Sequence, residues 1–377
     1  MSDWMCLPGS TLGILGSGQL GRMLCLEARR MGYRTVVWSG GGGDEPTQGV
    51  ADVLISDLFD SAEGLARFLE EVDVATVEFE NVPPQTLAAV ADGVPLFPEP
   101  RAISVARDRS LEKSFFVEYG IPCGRFVIVE DEDTLAAALL EFGESVLKTT
   151  EWGYDGKGQV KCSGGEQAGL VWDEIGRERA ILEEWVDFDC EISVMAVRGA
   201  NGEVVTYDAA ENEHRNHVLD VSIVPARVGQ EVARRAGEIA CQIVEALDYR
   251  GILGVEFFVR SDGELLVNEV APRPHNSGHH TMDACETSQF EQQLRAVCGL
   301  ELGGTGLLSP VVMLNLLGDL WESGELEGSL AKDEKVIWHL YGKSQRTGLR
   351  KCGHANFLGE GALERVRDFK KRLLGIC

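Results

Sequence analysis

The first hundred residues alternate between short apolar runs and amphipathic segments, and this alternation constrains the fold more than any other feature. Four runs have the length of strands: Thr11–Leu15, Arg34–Trp38, Val53–Ile55 and Val74–Phe79. Two segments between them carry apolar residues at helical spacing: Gln19–Met31 and Ser61–Glu71. Strand–helix–strand alternation predicts a parallel, doubly wound sheet. We therefore predict a Rossmann-like domain over residues 1–105.

The pattern changes twice after this domain. Residues 106–190 combine short strands with the helices Ser110–Tyr119 and Glu132–Phe142, as in a small α+β lid. From Glu191 long β segments follow, interrupted by the helix Gln230–Leu247, and they predict an antiparallel β unit over residues 191–304. Residues 305–377 form a last small domain with the closing amphipathic helix Ala362–Leu374. The fold class is therefore α/β, with α+β character overall.

The charge balance excludes several partners. The chain has 61 acidic and 35 basic residues and a net charge of −26, which would repel nucleic acid and anionic membranes. No run approaches the roughly 18 apolar residues of a membrane span, and Met1–Ser10 lacks the pattern of a secretory signal. The ten cysteines include no Cys-x-x-Cys pair. We expect a cytoplasmic protein with reduced thiols.

A glycine motif lies between the first strand and the first helix. Gly16-Ser-Gly18-Gln-Leu-Gly21 matches the dinucleotide-binding fingerprint in its expected context. A nicotinamide site also needs an acid at the end of the second strand, and Ser39 and four glycines stand there instead. The motif still favours an anion such as a phosphate ester, because backbone N–H groups at a helix N-terminus attract negative charge. A tight turn that packs helix on sheet is the structural alternative.

Three later features are typical of a nucleotide site. Lys148 ends an apolar strand, where its ammonium group can reach phosphates. The first six residues of the segment Gly153–Gln159 include three glycines, and such a backbone can fold over phosphates. Glu183–Val186 links the lid to the next strand and can offer a backbone edge to adenine and a carboxylate to ribose. A solvated lysine, a plain turn and an acidic edge are the alternatives.

Two acids in a predicted hairpin carry the strongest chemical signal. The strands around Glu256 and Glu269 are joined through Ser261–Glu264, so the two carboxylates should stand side by side. Paired carboxylates among apolar residues repel each other and are costly to bury. Mg²⁺, which prefers oxygen ligands, relieves both costs beside ATP. We therefore predict that Glu256 and Glu269 hold magnesium.

Donors for a small anion follow this hairpin directly. Arg273, His275 and Asn276 lie within nine residues of Glu269 and can hold an acid beside the terminal phosphate. The alternative is a transition-metal site made by His275, His279 and His280, but the adjacent acids favour hard-metal chemistry.

Four motifs together resemble a known family. They are Gly18–Gly21, Glu78–Val82, Gly153–Gln159 and Asn268–His280. In this order they are similar to the ATP-grasp family of 5-(carboxyamino)imidazole ribonucleotide synthases, over residues 12–357. The resemblance implies an ATP-grasp fold with a lid, a central β subdomain and a C-terminal domain, and commonly a homodimer.

The resemblance also implies roles for residues at matching positions. ATP would be bound by Arg109, Lys148, Gly153, Tyr154, Asp155, Gly156, Lys157, Gly158, Gln159, Glu183, Glu184, Trp185, Val186, Glu191, His214, Asn268 and Glu269. Glu256 and Glu269 would hold Mg²⁺. Aminoimidazole ribonucleotide would contact Gln19, Leu20, Glu80, Lys343 and Arg350. Bicarbonate would lie near the catalytic residues Arg273, His275, Asn276 and Lys351.

The implied reaction is the ATP- and bicarbonate-dependent carboxylation of aminoimidazole ribonucleotide, through carboxyphosphate, in purine synthesis. Two segments depart from the family pattern: Ala209–His214, which bears on the role of His214, and the loop Gly40–Gly43. Three other functions stay open. They are another ATP-grasp ligase, such as a formate-dependent glycinamide ribonucleotide transformylase, an NAD-dependent oxidoreductase and a non-catalytic ATP sensor.

Overall fold

The structure is a computed structural model and describes residues 4–43, 45–151, 158–322, 326, 328 and 336–374. The strands of these residues are β1 (Thr11–Leu15), β2 (Arg34–Gly40), β3 (Val53–Leu58), β4 (Val74–Val77), β5 (Phe126–Val129), β6 (Ser145–Thr149), β7 (Gln159–Cys162), β8 (Ala180–Glu184), β9 (Cys190–Arg198), β10 (Val204–Thr206), β11 (Ala210–Arg215), β12 (Val218–Val224), β13 (Gly251–Val259), β14 (Leu265–Ala271), β15 (Val311–Leu317), β16 (Val336–Leu340) and β17 (Lys351–Leu358).

The α-helices of the same residues are α1 (Gln19–Arg30), α2 (Ala62–Glu71), α3 (Pro84–Gly93), α4 (Pro100–Arg107), α5 (Arg109–Glu118), α6 (Glu132–Phe142), α7 (Ala168–Glu174), α8 (Gln230–Ala246), α9 (Thr281–Ala284), α10 (Gln289–Cys298) and α11 (Ala362–Leu374). Two short 3-10 helices span Asn276–Gly278 and Gly318–Trp321. No helix in the described part of the chain combines the length and the apolar character that a membrane crossing requires.

The first sheet confirms the predicted parallel, doubly wound arrangement. Its strand order is β3-β2-β1-β4, and all pairings are parallel. Helix α1 packs on one face, while α2, α3 and α4 pack on the other. The strand order reverses between β1 and β4, and the carboxyl ends at such a switch point form a crevice. Gly16 and Glu78 follow β1 and β4 at this crevice.

The lid sheet has the order β5-β8-β6-β7 and is antiparallel. Its apolar face is covered by α6 and α7 through a separate small core. Helix α6 begins where the Asp131 side chain accepts a hydrogen bond from Thr134 N, and it ends at Gly143. The lid therefore has its own core and contributes β6 and β8 to the wall of a cavity.

The large sheet has the order β14-β13-β9-β11-β12-β15-β17-β16, with β10 paired to β9, and its pairings are antiparallel. Helices α5 and α8 share one core with β9, β13 and β14. Helix α10 packs against β13 and also joins the core of the first sheet. The C-terminal strands β15–β17 continue this sheet, which brings Lys351 beside the central strands.

Most predicted strands and helices lie within two residues of the observed ones, including β1 and α11. Six elements were not predicted: α3, α7, α9, α10, β11 and β17. Strand β17 illustrates the cause, because the polar side chains of His354 and Asn356 lie in a buried layer and break the apolar alternation. Cys25 and Cys298 are buried free thiols.

Candidate active site

A cavity of about 640 Å³ lies between the lid sheet and the large sheet. Most of the predicted nucleotide, metal and catalytic residues line it: Arg109, Lys148, Gln159, Glu183, Glu184, Trp185, Val186, Glu191, His214, Glu256, Asn268, Glu269, His275, Asn276 and Lys351. A second cavity of about 310 Å³ is lined by Glu80 and Arg273. The two cavities share the residues Arg109, Glu269, His275 and Lys351, so they form neighbouring parts of one site.

The paired carboxylates are where the sequence predicted them. Glu256 of β13 and Glu269 of β14 are direct partners in the antiparallel register. Removal from water and the neighbouring Glu269 raise the pKa of Glu256 to about 8. A divalent cation would lower this cost, and the two carboxylates fit the oxygen ligands that Mg²⁺ takes while keeping sites for phosphate and water. The described residues contain no group of three or more His, Cys, Asp or Glu suited to a metal.

One face of helix α5 contacts strand β14 through three side chains. Arg109, Glu112 and Lys113 stand at helical positions i, i+3 and i+4, which share a face. Arg109 Nη1 lies 3.0 Å from Glu269 Oε2, Glu112 accepts a hydrogen bond from Val270 N at 2.8 Å, and Lys113 donates to Asn268 O at 2.8 Å. The helix therefore holds the backbone on both sides of Glu269.

Glu112 and Lys113 were not predicted as site residues, and each is only 2% exposed. Burial raises the pKa of Glu112 to about 8. The signal available in the sequence was their spacing from Arg109 in an amphipathic helix, but solvated charges show the same spacing. Asp108 starts the helix by accepting hydrogen bonds from Ser110 N and Leu111 N.

Lys148 is held by a carboxylate in the lid. Its Nζ lies 3.0 Å from Glu183 Oε1, and Lys113 Nζ lies 3.4 Å from Glu183 Oε2. Burial raises the pKa of Glu183, but the two lysines outweigh it and hold the value at about 2. Burial also lowers the pKa of Lys148 against the opposing effect of Glu183. The Glu183 side chain therefore faces two lysines.

Glu184 in the link between the lid and the large sheet, and Glu191 in β9 just after it, each contact another side chain or backbone group. Glu184 accepts a hydrogen bond from Arg125 N at 2.9 Å. Glu191 Oε2 lies 2.8 Å from His214 Nδ1. Burial lowers the pKa of His214, but its hydrogen bond with Glu191 outweighs this and raises it. Glu191 and His214 both line the larger cavity. Among the carboxylates that line it, Glu191 is the first in the sequence after the link Glu183–Val186.

The predicted glycine loop lies mostly outside the described residues, which exclude Gly153, Tyr154, Asp155, Gly156 and Lys157. Its last two residues are described. Gly158 has a φ of +68°, and Gly158 O accepts a hydrogen bond from Thr149 N at 2.9 Å. Gln159 begins β7 and lines the larger cavity.

The donors after β14 lie beside the two carboxylates. Arg273 Nε donates to Glu80 Oε2 at 2.6 Å. Burial raises the pKa of Glu80, but Arg273 outweighs it and keeps the value below the usual range. Asn276 Nδ2 is a buried nitrogen without a hydrogen-bond partner among the described residues, and Asn276 lines the larger cavity. This amide is a donor available for an anion.

The three histidines of this stretch have separate partners. His275 Nε2 lies 3.2 Å from Glu256 Oε1, and His275 Nδ1 is 2.8 Å from Ser277 Oγ. His279 Nδ1 pairs with Gln289 Nε2, and His280 Nδ1 pairs with Ser277 O. Burial lowers the pKa of His275 well below its ordinary value. These contacts do not support the transition-metal alternative.

The anion bound at the first glycine motif is a carboxylate of the chain itself, which corrects the expected phosphate. Gly18 N and Gly21 N donate to Glu78 Oε1 and Oε2 at 2.6 and 2.8 Å. A Cβ on Gly18 would lie 2.6 Å from Glu78 Oε1, which explains why a residue without a side chain is needed at this position. Because Glu78 occupies both N–H groups, the loop is unsuited to a dinucleotide pyrophosphate. Glu78 was missed, although its place after β4 was a signal.

The predicted ribonucleotide residues come from both ends of the chain. Lys343 Nζ donates to Gln19 Oε1 at 2.9 Å. Burial and the neighbouring Arg350 lower the pKa of Lys343. The Leu20 side chain lies in the core of the first sheet, so only its backbone can meet a ligand. The structure therefore joins the first helix to the basic segment before β17.

Three domain profiles match the chain. The profile of the ATP-grasp domain matches residues 114–290. The ribonucleotide synthetase preATP-grasp domain matches residues 9–107, and the phosphoribosylaminoimidazole carboxylase C-terminal domain matches residues 311–367.

Individual proteins agree with these profiles. The N5-carboxyaminoimidazole ribonucleotide synthase of Brucella melitensis is 44% identical over 92% of this chain and 96% of its own length. A solved N5-carboxyaminoimidazole ribonucleotide synthetase in complex with ADP is 39% identical, with a TM-score of 0.93 over 98% of both chains. The synthase of Aspergillus clavatus, solved with ADP and 5-aminoimidazole ribonucleotide, is 26% identical, with a TM-score of 0.87 over 97% of this chain and 98% of its own.

Proposed function

Because the chain belongs to the N5-carboxyaminoimidazole ribonucleotide synthase family, it is an ATP-dependent ligase of purine biosynthesis, and we propose here how its residues act. Its reaction is the carboxylation of 5-aminoimidazole ribonucleotide to the N5-carboxyamino product. ATP binds to the ATP-grasp unit, in the cavity between the lid sheet and the large sheet. We assign the adenine contacts to the link Glu183–Val186, ribose to Glu191 and phosphates to Lys148 and Arg109.

The observation that carries this proposal is the pairing of Glu256 with Glu269 in the cavity that also holds Lys148. We assign Mg²⁺ to these two carboxylates, because a cation removes the repulsion that raises the pKa of Glu256. Bound there, the metal would neutralise charge on the phosphates of ATP. Arg109 fixes Glu269, and His275 Nε2 lies 3.2 Å from Glu256 Oε1.

Bicarbonate is assigned to the junction of the two cavities. Asn276 supplies the unpartnered amide, while Arg273 and Lys351 supply positive charge. Glu80 aligns the guanidinium of Arg273 through two hydrogen bonds. Arg273 can then hold an anion at the distance from the phosphates that in-line attack needs.

The ribonucleotide is assigned to the neighbouring contacts: Gln19, the Leu20 backbone, Glu80, Lys343 and Arg350. The ammonium of Lys343 and the guanidinium of Arg350 suit its 5′-phosphate. Gln19 and Lys343 already touch, so one ligand can bridge the first helix and the basic segment before β17.

The proposed chemistry has two steps. A bicarbonate oxygen attacks the γ-phosphorus of ATP and forms a new P–O bond. The bond from the γ-phosphorus to the oxygen bridging the β- and γ-phosphates breaks, ADP leaves with that oxygen, and carboxyphosphate is formed. The exocyclic amine then attacks the carboxyl carbon of carboxyphosphate, or CO₂ released from it, and inorganic phosphate leaves. The phosphate takes the proton that the amine loses. Closure of the lid would exclude water, which hydrolyses carboxyphosphate.

The test is a measurement of ADP release with each acid and acceptor. ADP release should require bicarbonate and aminoimidazole ribonucleotide together. Release that depends on formate and glycinamide ribonucleotide would instead identify the transformylase and contradict the proposal. We further propose a homodimer in the cytoplasm, by analogy with the family.

A further inference from the structure

Lys113 is a buried cation that none of the proposed steps uses. It lines the nucleotide cavity from helix α5 and is only 2% exposed. Its Nζ donates to Asn268 O in the large sheet at 2.8 Å and lies 3.4 Å from Glu183 Oε2 in the lid. One ammonium group therefore contacts both walls of the cavity.

Glu183 has two lysine partners. Lys148 Nζ lies 3.0 Å from Glu183 Oε1, and Lys113 Nζ lies 3.4 Å from Oε2. Each lysine therefore forms an ion pair with a different oxygen of the same carboxylate. Lys148 carries its charge on a flexible four-carbon side chain, so it can turn toward another anion.

The free-energy cost of moving the Lys148 side chain away from Glu183 depends on Lys113. Glu183 is 7% exposed, and a buried carboxylate without a cation is strongly destabilised. If Lys148 moved to the phosphates in a chain without Lys113, Glu183 would lose its nearest positive charge and keep only the weaker attraction of Arg109. With Lys113 3.4 Å away, Glu183 keeps a partner throughout.

We propose that Lys113 is a positioning residue that retains Glu183 as a counter-ion and thereby frees Lys148 to bind the phosphates of ATP. The inference rests on the proposed role of Lys148 in phosphate binding. It predicts that loss of the Lys113 charge weakens the binding of phosphates but not of the nucleoside. It also predicts that neutralising Glu183 compensates for that loss.

The test is calorimetric titration of the full chain with ATP and, separately, with adenosine. Lys113→Gln removes the charge and keeps an amide donor for Asn268 O, and Lys113→Met serves as a second variant if the first does not fold. We expect the Kd for ATP to rise on the order of 10-fold to 100-fold, as for a buried charge that loses its partner. The Kd for adenosine should change by less than about 2-fold.

Two further variants complete the design. In Lys113→Gln/Glu183→Gln the affinity for ATP should recover by on the order of 10-fold, because Lys148 is then released from the carboxylate. Lys113→Arg, which keeps the charge, should bind ATP nearly as the unchanged chain does.

Each other outcome overturns the inference. Equal weakening of ATP and adenosine would make Lys113 a merely structural residue. Additive losses in the double variant would show that Lys113 does not act through Glu183. Lys148→Met separates this inference from the proposed function: if it binds ATP normally, the assignment of Lys148 itself is wrong. If Lys148→Met binds weakly and Lys113→Gln normally, only the role of Lys113 is wrong.

Discussion

Glu256 and Glu269 stand directly opposite each other on β13 and β14. Directly opposite residues on an antiparallel pair have Cβ atoms about 4.5–5.5 Å apart, so two negative side chains share one place in the cavity wall. Arg109 balances one of them, and the pKa of Glu256 is raised to about 8. The proposed magnesium site depends on this pair.

Replacing Glu269 tests the metal assignment. Glu269→Gln should lower ATP turnover by on the order of 100-fold or more, because an amide replaces a charged metal ligand. Binding of the ribonucleotide, measured by titration without ATP, should stay unchanged. Glu264→Gln, on the exposed turn of the same hairpin, is the matched control. Full ATP turnover in Glu269→Gln would refute the metal assignment.

The sequence predicted this pair because a hairpin is local: two strands and a short turn set the register of Glu256 and Glu269. It did not predict Glu112 and Lys113, because their burial comes from the packing of α5 on β14, a contact between segments more than 150 residues apart. Neither residue type signals burial by itself. The same limit applies to the large sheet, whose C-terminal strands could not be assigned to it by local patterns.

At the glycine motif the sequence predicted the charge of the bound group but not its identity. Gly16–Gly21 predicted an anion correctly, but the anion is the carboxylate of Glu78. A loop of N–H groups selects negative charge and does not distinguish a carboxylate from a phosphate. Only the parallel pairing of β1 with β4 brings Glu78 to that position.

Gly18→Ala should destabilise the fold. The added Cβ would meet Glu78 Oε1 at 2.6 Å, so the carboxylate must leave its two N–H donors, at a cost of about 1–3 kcal/mol. Thermal unfolding would measure the loss. Gly42→Ala, where a Cβ has nothing within 4 Å, should change stability by less than about 0.5 kcal/mol. Equal melting temperatures for the two variants would contradict the role of Glu78.

The lowered pKa of Glu183 predicts that the free energy of unfolding depends on pH. Its pKa is lowered to about 2 by Lys113 and Lys148 against the effect of burial, so its contribution is present above the unfolded pKa and is lost as pH falls. The stability difference between the unchanged chain and Glu183→Gln should be smaller at pH 4 than at pH 7, by roughly 1 kcal/mol. Urea unfolding at both pH values measures it. A difference that is the same at both would show that the ion pairs do not stabilise the fold.

Removal of the Lys343 charge should selectively lower the affinity for the ribonucleotide. Lys343→Met removes the ammonium beside Gln19, and a lost charge-assisted contact to phosphate should raise the KM for the ribonucleotide by about 10-fold to 100-fold. The KM for ATP should change little. Lys371→Met on the exposed face of α11 is the control. An unchanged KM for the ribonucleotide would place its phosphate elsewhere.

The most direct test of the whole account follows one oxygen atom. With bicarbonate labelled by ¹⁸O, attack on the γ-phosphorus of ATP leaves one labelled oxygen in each inorganic phosphate released, and mass spectrometry of that phosphate detects it. We predict one label per phosphate in the complete reaction. Unlabelled phosphate, formed together with the carboxylated product, would mean that bicarbonate is never phosphorylated and would contradict the account.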